Sequence, residues 1–433
     1  MALEEAGVPS VAVHTNVFAR LARATALANG MPKTRQAFVP QPVVDKTASD
    51  LRAYIEGKDP VSGRPFMQEI IEGLTRPLDA EDLKGLSFER TTPRLLAPDS
   101  EENLQQLFIE NHWTDFLPIV LPTEERVAAM LKGTHRKPDE VVGRMRPTEF
   151  REYWEFTVEK VAVNAVMAGA KPEYFPVILA LAASGQSSRS SSTTSITNLA
   201  VVNGPIRNEI GMSSGIGAMG PYNHANVTIG RAYSLLSQNL QGGSVPDETY
   251  MGTLGNPLAF SFCFAENEEQ SPWQPLHVQK GFKPTDNTVS VFFGLRYMQE
   301  GYGPRDTWQE KMRLCLAAGA HFPPLVVMDP IVARLFAERG IATKQQFIDW
   351  CAENARLPAR EYWDDMWVQT RTLPLAEAGV EPFASRLKAK PDEIVHMFEP
   401  KDINAVVVGG GTQGAWKMIG ARHFKTLSID AWR

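Results

Sequence analysis

A glycine-rich loop in the middle of the chain constrains its fold more than any other sequence feature. The short apolar run at residues 199–202 stops at Asn203-Gly204-Pro205, and glycines then recur between Gly211 and Gly220. Such a stretch cannot form a core, but it can present backbone N–H groups and polar side chains to a small ligand. We therefore expect the centre of function here, with an anionic small molecule bound by Asn203, Arg207, Asn223, Asn226 and Arg231.

Bulk properties exclude several classes of protein. The chain has 433 residues, which favours two or three domains, and its formal charge of -6 argues against non-specific nucleic-acid binding. No apolar run approaches the roughly 18 residues that would span a bilayer, and the acidic N-terminus does not resemble a secretory signal. The three cysteines are widely spaced, without a CxxC motif or a disulfide framework. A reducing cytoplasm is therefore the expected location.

Alternating strand and helix patterns predict an α/β fold, with two Rossmann-like α/β regions flanking a larger mixed α/β central domain. The sequence shows no internal repeat. Residues 1–78 are expected to form an incomplete α/β domain, since a strand at 8–14 follows the N-terminus almost at once and suggests a neighbouring segment on another chain. The remaining expected divisions are a connector at 79–150 with local helices, a central ligand-binding or catalytic domain at 151–325, and a C-terminal α/β region at 326–433.

Two stretches match the G-x-G-x-x-G pattern. The first, from Gly215 to Gly220, lacks a strand immediately before it and is followed by Pro221, so its context does not fit a dinucleotide site. The second, from Gly409 to Gly414, follows a predicted strand at 403–408 and precedes a predicted helix at 415–419. Gly409, Gly411 and Gly414 are therefore candidate cofactor-binding residues, although a tight turn after the strand explains the same pattern and the cofactor stays unidentified.

An acidic cluster follows the predicted strand at 259–264. Because α/β sites lie at strand ends, Glu266 and Glu268 are candidates for acid–base catalysis. Cys263 precedes them between Phe262 and Phe264, and we expect it to be a buried thiol whose reactivity nearby carboxylates suppress further.

Other polar residues admit both functional and structural interpretations. His224 could transfer a proton or could belong to the cap of the following helix. Lys160 shares a helix face with Asn164 and could contact substrate, whereas an ion pair between Glu159 or Glu155 and a neighbouring arginine is the structural alternative. No zinc-ligand spacing, Walker loop or G-x-S-x-G motif occurs, so nothing in the sequence demands a metal.

Several stretches resemble a family of bacterial proteins and selenoproteins named for a Sec/Cys-Gly-Ser-Cys motif, the UGSC family. They include Ala2-Leu-Glu-Glu-Ala-Gly-Val-Pro, Trp113-Thr-Asp-Phe-Leu-Pro, Asn203-Gly-Pro-Ile-Arg and Ala265-Glu-Asn-Glu-Glu-Gln-Ser-Pro-Trp. In that family the motif precedes the Ala-Gly-Val-Pro strand and is the expected redox centre. No Gly-Ser-Cys occurs in this chain, so the resemblance implies a C-terminal portion without the motif segment.

Three functions remain open at this point. The first is a subunit of a cytoplasmic enzyme that cleaves or forms a carbon–heteroatom bond, with the thiol or selenol supplied by a companion chain carrying a Gly-Ser-Cys-type motif. The second is a single-chain lyase or hydrolase that uses Glu266 with His224. The third is a non-catalytic ligand-binding subunit.

Overall fold

Strands and helices alternate along the chain as the sequence pattern predicts. The computed structural model describes residues 3, 7–28, 34–77, 93–144, 155–189, 197–240, 262–294, 298–303, 307–319 and 321–433. The strands are β1 (Ala12–Thr15), β2 (Gln36–Val39), β3 (Val141–Arg144), β4 (Glu155–Thr157), β5 (Leu199–Asn203), β6 (Phe262–Ala265), β7 (Thr288–Phe293), β8 (Met298–Tyr302), β9 (Pro324–Met328), β10 (Arg356–Pro358), β11 (Ile394–His396), β12 (Asn404–Val407), β13 (Ala415–Gly420) and β14 (Arg422–Ser428).

The helices carry the sequence signals expected at their ends. Thr47 and Thr343, for example, each form a capping box at a helix N-terminus. The helices are α1 (Ala19–Ala28), α2 (Ala48–Glu56), α3 (Phe66–Thr75), α4 (Glu101–Glu110), α5 (Glu124–Leu131), α6 (Val158–Met167), α7 (Phe175–Ala183), α8 (Ile206–Glu209), α9 (His224–Leu240), α10 (Leu276–Gln279), α11 (Trp308–Ala317), α12 (Pro330–Glu338), α13 (Lys344–Asn354), α14 (Ala359–Asp364), α15 (Leu373–Glu377) and α16 (Phe383–Leu387).

The N-terminal part contains a parallel pair of strands, β1 and β2, on which α1 and α3 pack. The strand expected at residues 8–14 begins only at Ala12, and Val13 within it is 51% exposed. Parallel sheets normally have both faces covered and comprise more strands than two. Among the described residues, no third strand pairs with β1 or β2, so they form a small two-stranded sheet and not a Rossmann-like one.

Two four-stranded mixed sheets form the centre of the molecule. Sheet 1 has the order β14-β7-β5-β6, in which β5 and β6 are parallel and the other neighbours are antiparallel. Sheet 2 has the order β8-β13-β9-β12, in which β9 and β12 are parallel and the other neighbours are antiparallel. This is an α/β fold, as expected, but the Rossmann-like arrangement is not confirmed.

The two sheets pack face to face. Side chains alternate between the faces of each strand, so Leu199 and Val201 point inward while Ala200 and Val202 point toward helices. Helices α6, α7 and α9 cover the outer face of sheet 1, and α11, α12 and α13 cover that of sheet 2, giving four layers. The inner apolar layer consists of Leu199, Val201, Phe264, Phe292, Leu325, Val327, Val406 and Ile419, among others.

The two sheets are topological copies of each other, although the sequence shows no repeat. In each copy a strand is followed by helices, a parallel neighbouring strand and then an antiparallel strand: β5, β6 and β7 in sheet 1, and β9, β12 and β13 in sheet 2. The equivalent turns of the two copies have similar sequences, Val201-Val-Asn-Gly-Pro-Ile and Val326-Val-Met-Asp-Pro-Ile. The two copies share little sequence beyond this turn, so the sequence alone does not reveal the structural repeat.

Each copy donates its last strand to the other sheet. After β7 the chain crosses to sheet 2 as β8, and after β13 it returns to sheet 1 as β14. The domain boundary expected at residue 325 therefore does not separate the two sheets, because β8 lies before it and β14 after it. Within the described ranges, no helix combines the length and apolar character needed to cross a membrane.

Candidate functional site

The carboxyl ends of both parallel strand pairs meet in one region. The Asn267 N–H, just after β6, donates to the carbonyl of Val407 at 2.7 Å, and its Nδ2 donates to the carbonyl of Gly409 at 3.0 Å. The Gly409 N–H donates in turn to Ser214 in the glycine-rich loop at 2.7 Å. Because ligands of α/β proteins bind at such strand ends, this is the region to search for a site.

Glu266 lies in this region as half of a fully buried ion pair. Its Oε1 accepts from Lys344 Nζ at 2.7 Å, and its Oε2 accepts from Asn203 Nδ2 and from the Leu276 N–H, each at 2.7 Å. The Thr343 capping box fixes Lys344 at the first residue of α13, so the pair joins the two halves of the molecule. Both carboxylate oxygens are thus engaged, which suits Glu266 to holding the site together rather than to exchanging protons with a ligand.

Glu268 is better placed for chemistry. Its Oε1 accepts from Asn203 Nδ2 at 2.9 Å and from the Gly204 N–H at 2.8 Å, and it lies 3.1 Å from Arg207 Nε. The side chain is 13% exposed, and its Oε2 accepts no hydrogen bond from a described residue. One carboxylate oxygen is therefore fixed in position while the other stays free to take part in catalysis.

Arg207 does not present its guanidinium to a ligand. It is 3% exposed, donates to the carbonyls of Gly204 at 2.9 Å and Glu266 at 2.6 Å, and pairs with Glu269 at 3.0 Å. Arg231 is held elsewhere, by Asp115, to which it donates twice at 2.9 Å. The expected convergence of the two arginines on an anion is not found, because each already has a carboxylate partner.

The polar residues of the glycine-rich loop mainly fix its shape. Asn226 is buried, accepts from the Ser213 N–H at 3.1 Å, and donates to the carbonyls of Ser213 and Ala218. Asn223 donates to the carbonyl of Gly217 at 2.7 Å. The exposed His224 lies 3.3 Å from the Tyr174 hydroxyl, and no contact with Glu266 or Glu268 joins it to the acidic cluster in the described part of the chain.

Lys160 is also placed away from the acidic cluster, on an exposed face of α6. Its backbone carbonyl accepts from Asn164, whose Oδ1 accepts from Asn239 at 2.8 Å. Glu159 pairs with Arg94 at 2.6 Å, which is the structural alternative weighed for this helix. The geometry thus gives no support to Lys160 as a substrate contact.

The second glycine cluster, Gly409 to Gly414, is not followed by the helix that its interpretation as a cofactor site required. The prediction of a helix at 415–419 was wrong: β13 follows Gly414, and Asp329 Oδ2 accepts from the Ala415 N–H at 2.6 Å. Gly410 packs against the glycine-rich loop so closely that a Cβ would lie 2.2 Å from Ile216 Cγ1. The geometry therefore explains the cluster as a turn and a close contact between loops. Cofactor binding by Gly409, Gly411 and Gly414 stays a prediction.

A polar layer lies between the two sheets, just beyond their apolar inner layer. Asn203, Glu266 and Thr288 occupy inward-facing strand positions, and the short helix α10 carries His277 over them. Several buried atoms here have no hydrogen-bond partner among the described residues: Asn203 Oδ1, both ring nitrogens of His277 and Thr288 Oγ1. Such groups are rarely left unpaired, so this layer is suited to holding water or a small polar ligand.

His277, like Lys344, is a residue of the site that sequence reasoning missed. It is fully buried, and its Nδ1 lies 4.0 Å from Glu268 Oε1, too far for a hydrogen bond but close enough to form one after a small movement. Its only sequence signal was its position nine residues after Glu268, in Pro275-Leu-His-Val-Gln. The spacing alone could not show that α10 folds back over the carboxylate.

All three cysteines are buried and unpaired. Burial raises the pKa of the Cys263 thiol to about 12 and also raises the pKa values of Cys315 and Cys351. The expectation of a buried Cys263 is confirmed, with Phe264 on the opposite sheet face, but burial and not the nearby carboxylates disfavours the thiolate. In the described part of the chain, no group of three potential ligands could hold a metal ion.

Comparison with known families gives one match: the model of the UGSC family matches residues 1–59. The match covers the N-terminal Ala-Gly-Val-Pro stretch and supports the resemblance at this end of the chain. Searches of curated proteins and of solved structures returned no match.

Proposed function

We propose that this protein, whose residues 1–59 match the model of the UGSC family, is an enzyme that binds a small polar molecule between its two sheets and moves a proton there with His277 and Glu268. One observation carries the proposal: a fully buried histidine has both ring nitrogens unpaired and faces a carboxylate at 4.0 Å. An imidazole ring accepts a proton in its neutral form and donates one in its protonated form, which makes histidine the commonest acid–base group in enzymes.

The neighbouring residues have positioning roles in this proposal. Asn203 and the Gly204 N–H fix one oxygen of Glu268, so that the carboxylate can orient the His277 ring. The buried Glu266–Lys344 pair holds α13 against the end of β6 and closes the layer. This is the single-chain acid–base function considered from the sequence, with His277 and Glu268 in place of His224 and Glu266.

A matched pair of histidine variants tests the proposal. We expect His277→Gln to abolish the stabilisation of the chain by ligand in a thermal-shift screen of small carboxylic and hydroxy acids, and to abolish any turnover. His224→Gln should leave both unchanged, because its exposed ring lies at the first residue of α9, beside the Tyr174 hydroxyl. Unaltered ligand binding and turnover in the folded His277→Gln protein, or their loss in His224→Gln alone, would contradict the assignment. Binding without turnover in the unmodified chain would indicate a ligand-binding subunit instead.

A second candidate function is favoured by the cysteines. All three thiols are buried with raised pKa values, so a thiol-dependent step would need a thiol from another chain. In this alternative the protein is a cytoplasmic subunit that positions an anionic substrate while a companion with a Gly-Ser-Cys-type motif cleaves or forms a carbon–heteroatom bond. β1 and β2 lie within the family-matched segment, and no further strand of the described residues pairs with either of them, so their outer edges are where such a companion would bind in this alternative.

Co-purification followed by mass spectrometry tests this alternative. We expect a companion chain with an accessible thiol to remain bound through the N-terminal part, and full activity to require both chains. Full activity of the chain alone, with no partner recovered, would rule the alternative out. The cytoplasmic location belongs to this proposal and is supported by the unpaired cysteines.

A further inference from the structure

Three fully buried side chains of the polar layer, those of Asn203, His277 and Thr288, carry hydrogen-bonding atoms without partners among the described residues. Asn203 and Thr288 are directly opposite each other on β5 and β7, where Cβ atoms of antiparallel strands lie about 5 Å apart. Asn203 Nδ2 donates to Glu268 Oε1 at 2.9 Å, and this oxygen lies 4.0 Å from His277 Nδ1. The four side chains therefore form one cluster.

The unpaired atoms of this cluster are of mixed kinds. Asn203 Oδ1 only accepts hydrogen bonds, the Thr288 hydroxyl both donates and accepts, and a neutral His277 ring offers one donor and one acceptor. Glu268 Oε2, which accepts no hydrogen bond from a described residue, adds a further acceptor. A carboxylate ligand only accepts and an ammonium ligand only donates, whereas a hydroxyl group does both. Hydroxyl groups therefore match this set of atoms best.

The charges around the cluster disfavour an anionic ligand. The buried cations Lys344 and Arg207 already have carboxylate partners: Lys344 pairs with Glu266 at 2.7 Å, and Arg207 pairs with Glu268 at 3.1 Å and Glu269 at 3.0 Å. An anion bound here would lose its hydration, would gain no unpaired cation from these two residues, and would face the Glu268 carboxylate.

We propose that the polar layer binds a small uncharged polyol, a compound with hydroxyl groups on neighbouring carbons, and that Asn203 and Thr288 determine this specificity. Asn203 Oδ1 and Glu268 Oε2 accept from its hydroxyls, and Thr288 and His277 supply the complementary donors. Of these four side chains only Glu268, which is 13% exposed, contacts solvent, so the polyol enters beside it. The inference rests on the proposed function and deepens it, because it names the class of molecule on which His277 and Glu268 act.

A matched set of four-carbon compounds tests the class of ligand on the full chain. Erythritol carries four hydroxyl groups, succinate two carboxylates and 1,4-diaminobutane two ammonium groups. Each is titrated while the imidazole resonances are followed by NMR, with the His277 signals assigned by comparison with His277→Gln. We expect erythritol to shift the His277 signals saturably, and succinate and 1,4-diaminobutane to leave them in place.

A pair of threonine variants tests the position of the site. Thr288→Val removes an unpaired hydroxyl, so we expect it to raise the melting temperature of the free protein and to weaken erythritol binding about tenfold, the equivalent of one hydrogen bond. Thr426→Val is the matched control, because its hydroxyl already bonds to Ser290 at 2.8 Å and to His423 at 2.9 Å. It should lower the melting temperature and leave the erythritol affinity unchanged.

Several results would overturn the inference: no shift of the His277 signals with erythritol, a shift with succinate or 1,4-diaminobutane in its place, or equal erythritol affinity in the parent chain and Thr288→Val. The resonance experiment uses the unmodified chain, so it decides the class of ligand independently of either threonine variant. Loss of turnover in His277→Gln would uphold the acid–base role even where the polyol fails to bind. Erythritol binding with full turnover in His277→Gln would uphold the class of ligand where the acid–base role fails.

Discussion

At the scale of single residues, the buried Glu266–Lys344 pair carries the largest energetic consequence. Both side chains are fully buried and their charged atoms are 2.7 Å apart. We expect Glu266→Gln or Lys344→Met alone to lower the free energy of unfolding by about 3–5 kcal/mol, because each leaves the other charge buried without its partner. The double variant should lose much less. Urea denaturation measures these free energies of unfolding. Single variants whose free energy of unfolding lies within about 1 kcal/mol of the parent value would contradict the prediction, because a surface ion pair contributes about that much.

The pKa of His423 predicts how the stability of the folded protein depends on pH. Burial, with the Lys280 charge as a second cause, lowers the pKa of His423 to about 4. Between this value and about 6.5 the unfolded chain binds a proton that the folded chain does not, so the stability rises with pH across this window and is lost as the pH falls through it. Allowing for partial exposure of the ring, the change is about 2 kcal/mol. His423→Gln should flatten this part of the stability–pH curve; an unchanged slope in this variant would assign it to other groups.

Because the three cysteines are buried, we expect them to resist alkylation in the folded protein. Burial raises the pKa of Cys263 to about 12, so its thiolate is scarce at neutral pH. We expect iodoacetamide to modify Cys263 only after unfolding, and Cys263→Ser to keep activity while its hydroxyl costs some stability in the core. Loss of activity in a serine variant that retains its circular dichroism spectrum would instead make Cys263 the nucleophile and remove the need for a companion thiol.

At the scale of secondary-structure elements, α9 and the glycine-rich loop act as one unit. Asn226, in the first turn of α9, makes three hydrogen bonds with loop backbone groups. We expect Asn226→Ala to lower the free energy of unfolding by about 2–3 kcal/mol, since buried backbone groups lose their partners. Asn223→Ala, which removes one bond at the loop surface, is the matched control. Hydrogen exchange over residues 211–220 should accelerate in the first variant only, and equal rates in both would contradict this role.

The sequence predicted elements better than it predicted the site. The strand at Thr288–Phe293 has the expected bounds, and α12 begins at Pro330 as expected, because β-branched runs and a proline at the first helical position are local signals. Residues 415–419 were assigned to a helix but form a strand, because Trp416 and Met418 pack into the core of the second half. Pairing with β9 and β8 overrides local propensity there.

The site was only partly predictable for the same reason. Glu266, Glu268 and Asn203 were found because they follow strands, and those strands proved to be neighbours. Lys344 reaches Glu266 from a segment far along the chain, and His277 reaches Glu268 through the fold of α10; no spacing in the sequence indicates either contact. Arg207 looked like an anion ligand because its partners, Glu268 and Glu269, could equally have pointed elsewhere.

At the scale of the whole molecule, the exchange of β8 and β14 makes the two sheets interdependent. Asp430, just after β14, accepts from the Asn287 N–H at 3.1 Å and from its side chain at 2.7 Å, which ties this strand to the first sheet. We expect β5 and β9, the central strands of the two sheets, to lose hydrogen-exchange protection at the same denaturant concentration. Asp430→Ala should lower that concentration for both strands together. Separate transitions for the two strands would show that the sheets unfold independently.

The exchange of β8 and β14 between the sheets also affects how the chain folds during its synthesis. On the ribosome, β5, β6 and β7 emerge long before β14, so the first sheet has an open edge at β7 while the second half is still being translated. An unpaired strand edge is a template for association with other chains, which makes this interval the one most exposed to aggregation. Slow translation through residues 294–421 would therefore lower the yield of native protein more than slow translation before β5, even though the finished molecule is the same.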